Sequence, residues 1–279
     1  MINTMGNRER ILYLGIFAVF SAADGYKKWS CFIPYFKAIT QRVSTVAAMA
    51  EAKRLEKSGA VSDCHLFSHV IGETSVERYN FDMGQAFSSC EFGCSDGCFH
   101  GVMERYVRYT ADPSNVASKV PSMCDSVGTD LVRTRQCIHG IGHGLIAHGF
   151  LPLQNAIAAC ESLDQEWQLH CIGGLTMEHI DQYLERKLSE SDFKAMLPGL
   201  CAPFESTEPS FKMNYCLFQV ALGVMYYTGH NVEHSRKLCE ELYNQEYVRA
   251  CKNYITEVVA FETPANIDVE TFLKNTEVF

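Results

Sequence analysis

Hydrophobic positions recur along most of the chain with the three- to four-residue spacing of an amphipathic helix. The stretch 40–58 carries such a stripe and ends before Gly59, so it predicts a lead-in helix within an N-terminal segment that spans residues 24–60. A second helix is predicted to begin at Ser62 and Asp63, whose side chains can cap a helix. Alternating patterns typical of strands are scarce, so the sequence predicts an all-α fold.

From residue 61 to residue 263 the helical pattern repeats with a period of about 34–45 residues. One set of cysteines stands near the start of an apolar helix, and a second set stands near the end of the helix before it. A period of this length is typical of arrays of helical hairpins. We therefore predict a helical-repeat domain over 61–263, in the form of an α-solenoid or an α/α toroid-like array. The helix-start set is Cys98, Cys137, Cys171, Cys216 and Cys251, and the helix-end set is Cys90, Cys124, Cys160, Cys201 and Cys239.

Each hairpin is expected to carry a disulfide that joins its two helices across the turn. By analogy Cys90 should pair with Cys98, which leaves Cys64 and Cys94 as possible partners and Cys31 as the odd cysteine. Spacing alone does not fix connectivity, and the alternative is that the repeat cysteines are small buried hydrophobic residues. The four predicted pairs are Cys124 with Cys137, Cys160 with Cys171, Cys201 with Cys216, and Cys239 with Cys251.

The N-terminal residues 1–23 have the layout of a secretory signal. Basic residues precede an apolar run that starts at Ile11 and leads to small residues ending at Ala23. We expect either a cleaved signal peptide or a signal anchor that attaches the protein to a membrane through residues 11–23. The thirteen cysteines agree with export to an oxidising compartment. The predicted location is therefore extracytoplasmic: secreted, periplasmic, or membrane-anchored and facing outside.

Charge and composition narrow the choice of partners. The chain is 47% hydrophobic and carries a formal charge of −9, without any run of lysine or arginine. Nucleic acid is therefore not an expected partner. The C-terminal tail, residues 264–279, has a short helical stripe and no functional signal.

Three successive helices carry two potential metal ligands four residues apart. This spacing places both side chains on one face of a helix. Glycines follow the imidazoles of one pair at Gly140 and Gly144, and they would let a neighbouring helix approach closely. The later repeats lose the pattern. The pairs are His65 with His69, His100 with Glu104, and His139 with His143.

These pairs predict a metal site where the three helices face one another, since helical proteins build such centres from paired ligands on facing helices. Five imidazoles and one carboxylate suit iron, copper or zinc better than calcium or magnesium, and the sequence does not distinguish among the three. Glu73 and Glu178 are candidates for a catalytic proton-transfer group, or for a hydrogen bond to a metal-bound imidazole.

The leading hypothesis is an exported metalloenzyme that acts on a small molecule, either a non-haem iron or copper oxidoreductase or a zinc-type hydrolase. One alternative is a non-catalytic scaffold that binds a protein or peptide, with the histidines packed as ordinary buried residues. Another is a metal carrier. Burial and convergence of the six predicted ligands would favour a metal centre, whereas histidines spread along a groove would favour the scaffold.

Overall fold

The computed structural model describes residues 25–61, 64–128, 130–184, 188–205 and 211–261. All regular secondary structure in these ranges is helical, which confirms the predicted all-α fold. The α-helices are α1 (Gly25–Arg42), α2 (Thr45–Lys57), α3 (His65–Arg78), α4 (Met83–Ser88), α5 (Gly97–Thr110), α6 (Val116–Lys119), α7 (Leu131–Ile146), α8 (Leu153–Glu161), α9 (Gln165–Leu184), α10 (Glu190–Met196), α11 (Phe211–Tyr227), α12 (Val232–Cys239) and α13 (Gln245–Phe261).

Long and short helices alternate from α3 onward. The long helices pack on one another in chain order, from α1 through α3, α5, α7, α9 and α11 to α13. The most extensive contacts join α3 to α5, α5 to α7, and α7 to α9. A short helix precedes each long one, and α12, for example, packs on both α11 and α13.

Disulfides join the segments around the short helices to the long helices. All four predicted pairs are confirmed, and so is Cys90–Cys98, with Cα atoms 5.5–5.9 Å apart in these five bonds. Closing a loop of this size stabilises a fold by about 3 kcal/mol on the chain-entropy estimate. A sixth disulfide joins Cys64 to Cys94. The odd cysteine, Cys31, lies in α1.

Six disulfides indicate an oxidising environment outside the cytoplasm. Within the described ranges, no helix combines the length and the apolar character needed to cross a membrane. The predicted signal segment 1–23, the helix cap at Ser62 and Asp63, and the tail 264–279 lie outside the described residues.

The prediction of one lead-in helix over 40–58 is wrong at its start. The helix is interrupted between α1 and α2, so this stretch contains the end of one helix and the whole of the next. Ser44 is extended, and its side chain accepts a hydrogen bond from the backbone of Ala47 at 3.0 Å, which begins α2. Arg78 of α3 donates to the last carbonyl groups of α1, including that of Thr40 at 2.9 Å. These bonds satisfy the carbonyls that a helix end leaves without partners.

Glycines allow two pairs of long helices to touch backbone to backbone. A Cβ atom on Gly72 of α3 would lie 2.0 Å from the carbonyl oxygen of Cys98, and one on Gly101 of α5 would lie 2.0 Å from that of His69. The pair α7 and α9 repeats this arrangement. A Cβ on Gly142 would lie 2.0 Å from the Cys171 carbonyl, and one on Gly174 would lie 1.9 Å from the His139 carbonyl. No side chain can replace hydrogen at these positions without moving a helix.

Candidate metal centre

The close contacts between α3, α5 and α7 bring the five predicted histidine ligands into one cluster. The imidazole ring of His100 on α5 lies at its middle. Its centroid is 5.5 Å from that of His65, 5.3 Å from His69, 4.8 Å from His139 and 4.5 Å from His143, on which it stacks. His65, His100 and His143 are buried, and His69 and His139 are partly buried. The imidazoles therefore converge inside the protein and do not follow an outer groove.

His65 and His69 lie one turn apart on α3, and their Nε2 atoms are 3.1 Å apart. Nδ1 of His65 lies 3.0 Å from the carbonyl oxygen of Cys94. Because a carbonyl only accepts hydrogen bonds, Nδ1 of His65 donates, and Nε2 of the neutral ring carries a lone pair. That lone pair faces His69 at nearly the distance of about 3.3 Å that separates two nitrogens on one tetrahedral zinc ion.

The carbonyl that orients His65 belongs to a constrained loop between α4 and α5. Cys94, Ser95 and Asp96 are three consecutive non-glycine residues with left-handed φ angles of 53°, 46° and 59°. Such conformations are costly and persist only where the surroundings enforce them. The Cys64–Cys94 disulfide supplies one constraint, and the Asp96 side chain supplies others by accepting from the Gly93 backbone at 3.1 Å and from Gln136 at 2.8 Å.

Three buried polar atoms of the cluster have no hydrogen-bond partner. They are Nδ1 of His100, Nε2 of His143 and Oε1 of Glu104, and the three residues are only 3%, 0% and 6% exposed. Oε1 of Glu104 lies 2.8 Å from Nδ1 of His69, but this ion-pair contact lacks hydrogen-bond geometry. Since buried polar atoms are normally satisfied by protein groups, ordered water or a bound ion, these three are candidate ligand atoms.

Glu178 on α9 extends the cluster beyond the histidines. One of its oxygens lies 3.2 Å from Nδ1 of His143, and Oε1 of Glu104 lies 3.8 Å from the same nitrogen. The other Glu178 oxygen accepts a hydrogen bond from Gln182 at 3.2 Å, and Gln182 also donates to the carbonyl of Ile146 at 3.1 Å. Glu178 therefore lies among the possible ligands, whereas the sequence predicted it only for proton transfer or for support of a ligand.

Burial controls the charge of these groups. It lowers the pKa of His100, His139 and His143 well below the usual value for histidine, and the neighbouring imidazoles lower it further. Burial also raises the pKa of Glu104 well above its usual value, with added contributions from the charges of Glu178 and Glu73. The three imidazoles are thus neutral at physiological pH, which is the state that binds metal ions.

The possible ligand atoms fall into three overlapping groups. Within each group, one atom from each residue lies within 4.8 Å of the others. All six predicted ligands belong to at least one group, and Glu178 is the additional member. The groups are His65 with His69 and His100; His100 with His139 and His143; and Glu104 with His143 and Glu178. Each buried group could hold a metal ion.

Glu73, the other predicted catalytic carboxylate, belongs to none of these groups. It is partly buried and pairs with the exposed His148, Nε2 to Oε1, at 3.9 Å. Burial alone would raise the pKa of Glu73, but the contact with His148 and the charges of Arg108 and Arg105 outweigh that effect and lower it. The same contact raises the pKa of His148. Glu73 therefore connects the cluster region to a residue in contact with solvent.

The glycine contacts align α3 with α7, residue by residue, in a way that the cysteine spacing did not indicate. Gly72 and Gly142 each lie against the carbonyl of the cysteine in the following long helix. Aligning these two glycines matches His69 with His139, and Glu73 with His143. His65 then stands one turn earlier, where α7 has Arg135, so the His65–His69 pair does not align with the His139–His143 pair. A search for repeats anchored on glycine would have found this offset.

No model of a known protein family matches this chain, and comparisons with curated proteins and with solved structures found no match. Buried imidazole and carboxylate groups, several of them without hydrogen-bond partners, are suited to a transition-metal ion.

Proposed function

We propose that this protein is exported, binds transition-metal ions at the His/Glu cluster, and is a metalloenzyme. One observation carries the proposal: Nδ1 of His100, Nε2 of His143 and Oε1 of Glu104 are buried without hydrogen bonds inside a group of converging imidazoles. A metal ion would satisfy such atoms, whereas a core packed for stability alone would pair them or replace them with apolar groups. The convergence also argues against a scaffold whose histidines line a binding groove.

The donor set supports iron, copper or zinc as the bound metal, since imidazole and carboxylate together suit these ions. Iron or copper would supply redox chemistry and make the protein an oxidoreductase. Zinc would supply a Lewis acid for hydrolysis. The repeated hairpin, the disulfides and the chain-order packing of the long helices support an α-solenoid-like frame around the site.

Glu73 is the proposed proton-transfer residue. Glu73 stands one helical turn after His69, and its carboxylate lies 3.9 Å from His148, whose side chain is 57% exposed, so we propose this pair as a route for a proton to reach solvent. Glu178 is assigned to metal binding because of its contact with His143. Glu73→Gln should keep the metal content and helical signal of the wild type while changing the pH profile of turnover. Loss of metal from this variant would instead identify Glu73 as a ligand.

The test is the elemental content of the full chain produced in an oxidising compartment without a histidine tag. We expect near-stoichiometric iron, copper or zinc, and loss of most of it in His100→Gln. His179→Gln is the matched control, because His179 is also a buried histidine, but its Nε2 donates to the carbonyl of Leu200 at 3.0 Å. Wild-type protein that contains no metal and takes up none of the three would overturn the proposal. The metal found decides between oxidoreductase and hydrolase assays.

A further inference from the structure

We propose that the cluster holds two metal ions side by side, in two sites of different chemistry. This inference rests on the proposed metal-binding function and specifies the number of ions and their ligands. Site one consists of His65, His69 and His100, and site two of Glu104, His143 and Glu178.

The candidate ligand atoms form three triads, each with its own close spacing. The first and third triads share no residue, so each has three ligands of its own. Site one lies between α3 and α5, and site two lies where α5, α7 and α9 meet.

Contacts inside each triad already have the dimensions of a metal site. In site one the Nε2 atoms of His65 and His69 are 3.1 Å apart. In site two the ligand nitrogen of His143 is Nδ1, which lies 3.2 Å from Glu178 and 3.8 Å from Glu104, and the unpartnered Nε2 of the same ring does not belong to this site. Ligand atoms at about 2.0–2.2 Å from one zinc ion lie roughly 3.3 Å apart in a tetrahedron, so these three contacts need only a small adjustment to share an ion.

The two sites are neighbours. The ring of His100 from site one stacks on that of His143 from site two, with centroids 4.5 Å apart and planes 17° apart. His69 of site one and Glu104 of site two approach to 2.8 Å. His139 groups with both His100 and His143, so it can complete the shell of either ion.

The triads differ in charge and hardness. Site one offers three imidazoles, which suit copper or zinc. Site two offers one imidazole and two carboxyl groups, which suit a harder ion such as iron, or zinc. Both carboxyl groups are poorly exposed, with relative side-chain exposures of 8% and 15%, and a divalent ion would stabilise their charged form there. Because their donor atoms differ, the two sites should prefer different metal ions.

The experiment is equilibrium dialysis of the oxidised full chain against Zn²⁺, with bound zinc counted per chain and the helical signal recorded for every variant. We expect two ions in the wild type, one in His65→Gln, one in Glu178→Gln, none in the double variant and two in the control His179→Gln. His69→Gln and Glu104→Gln are the second variants for the two sites, in case either first variant does not fold.

A wild-type count of one, lost in both single variants, would overturn the two-ion inference and leave the proposed metal-binding function intact. If each single variant keeps both ions, or if each loses both, the assignment of the ligands to two separate sites would be overturned. A wild-type count of zero for zinc, iron and copper would instead contradict the proposed function itself.

Discussion

Two regions of this molecule both contain a long helix that is joined by a disulfide to the segment before it, but they carry different interiors. In α5 and α7, the positions two and six residues after the repeat cysteine hold His100 with Glu104 and His139 with His143. In α11 the equivalent positions hold Phe218 and Leu222.

The core between α11 and α13 is aromatic, with the rings of Phe218 and Tyr254 in an edge-to-face contact at 5.6 Å. The disulfide-bonded hairpin therefore does not require polar residues at these positions. Burying polar groups without partners destabilises a fold, so the imidazoles of the first region are better explained by a ligand than by packing.

The largest expected effect is the loss of stability and of bound metal when a glycine at the contact between α7 and α9 is replaced. Gly174→Ala should lower the free energy of unfolding by about 3 kcal/mol and reduce bound metal, because its Cβ would lie 1.9 Å from the His139 carbonyl and must push α7 and α9 apart. Urea unfolding and metal analysis measure both effects. Gly199→Ala is the control, since no atom lies within 4 Å of its added Cβ. Equal effects of the two substitutions would show that backbone contact does not hold the site.

Removing one disulfide from each region should lower the free energy of unfolding by the same amount but have different effects on metal binding. The loops closed by Cys160–Cys171 and Cys239–Cys251 span 11 and 12 residues, so each Cys→Ala double variant should lose about 3 kcal/mol. Only the first bond anchors α9, which carries Glu178. We expect reduced zinc binding for the Cys160/Cys171 variant and unchanged binding for the other, measured by dialysis. A loss of zinc from the Cys239/Cys251 variant would make the two regions one cooperative unit.

The buried histidines should make the stability of the metal-free protein depend on pH. The pKa of His100 is lowered by burial, so this residue contributes stability above the unfolded-state value of about 6.5 and loses it as the pH falls, because only the unfolded chain takes up the proton. Below pH 6.5, the free energy of unfolding of the wild type should therefore fall relative to that of His100→Gln, by up to about 1.4 kcal/mol per pH unit.

Urea unfolding in a chelator at pH 7.5, 6.5 and 5.5 tests this dependence on His100. Comparing the two chains cancels contributions that they share, including the opposite one from the carboxyl group of Glu104, whose pKa is raised. A difference that stays constant over this range would mean that His100 is protonated to the same extent in the folded and unfolded chains.

The smallest expected effect is a difference in pKa between a histidine at the edge of the cluster and one inside it. In the metal-free protein, the imidazole of His148 should titrate above the usual histidine pKa, because the carboxylate of Glu73 lies 3.9 Å away, whereas His143 should remain neutral well below it. The His148–Glu73 pair stabilises the fold between the lowered pKa of Glu73 and the raised pKa of His148, and this contribution is lost outside that window. Imidazole NMR titration measures both residues, and Glu73→Gln should return His148 to its ordinary range.

Much of this organisation could be predicted because it is local in sequence. A hairpin disulfide joins cysteines about a dozen residues apart, and two ligands one helical turn apart share a face whatever surrounds them. The rest depends on tertiary contacts. The break at Ser44 is supported by Arg78 from a later helix, and the offset of His65 depends on how Gly72 meets the Cys98 carbonyl. The contact of Glu178 with His143 depends on the crossing of α7 and α9, which local spacing does not specify.

The order of the cysteines has a consequence for oxidative folding during export. From Cys124 onward, consecutive cysteines are bonded two by two, so these native bonds can form as the chain emerges once the four cysteines from Cys64 to Cys98 have paired among themselves. The earlier bonds interlace, with Cys64 joined to Cys94 and Cys90 joined to Cys98. Here pairing in order of emergence gives the wrong bonds, and thiol–disulfide exchange must correct them. Among the described hairpins, a disulfide isomerase would therefore matter most for the one that positions His65.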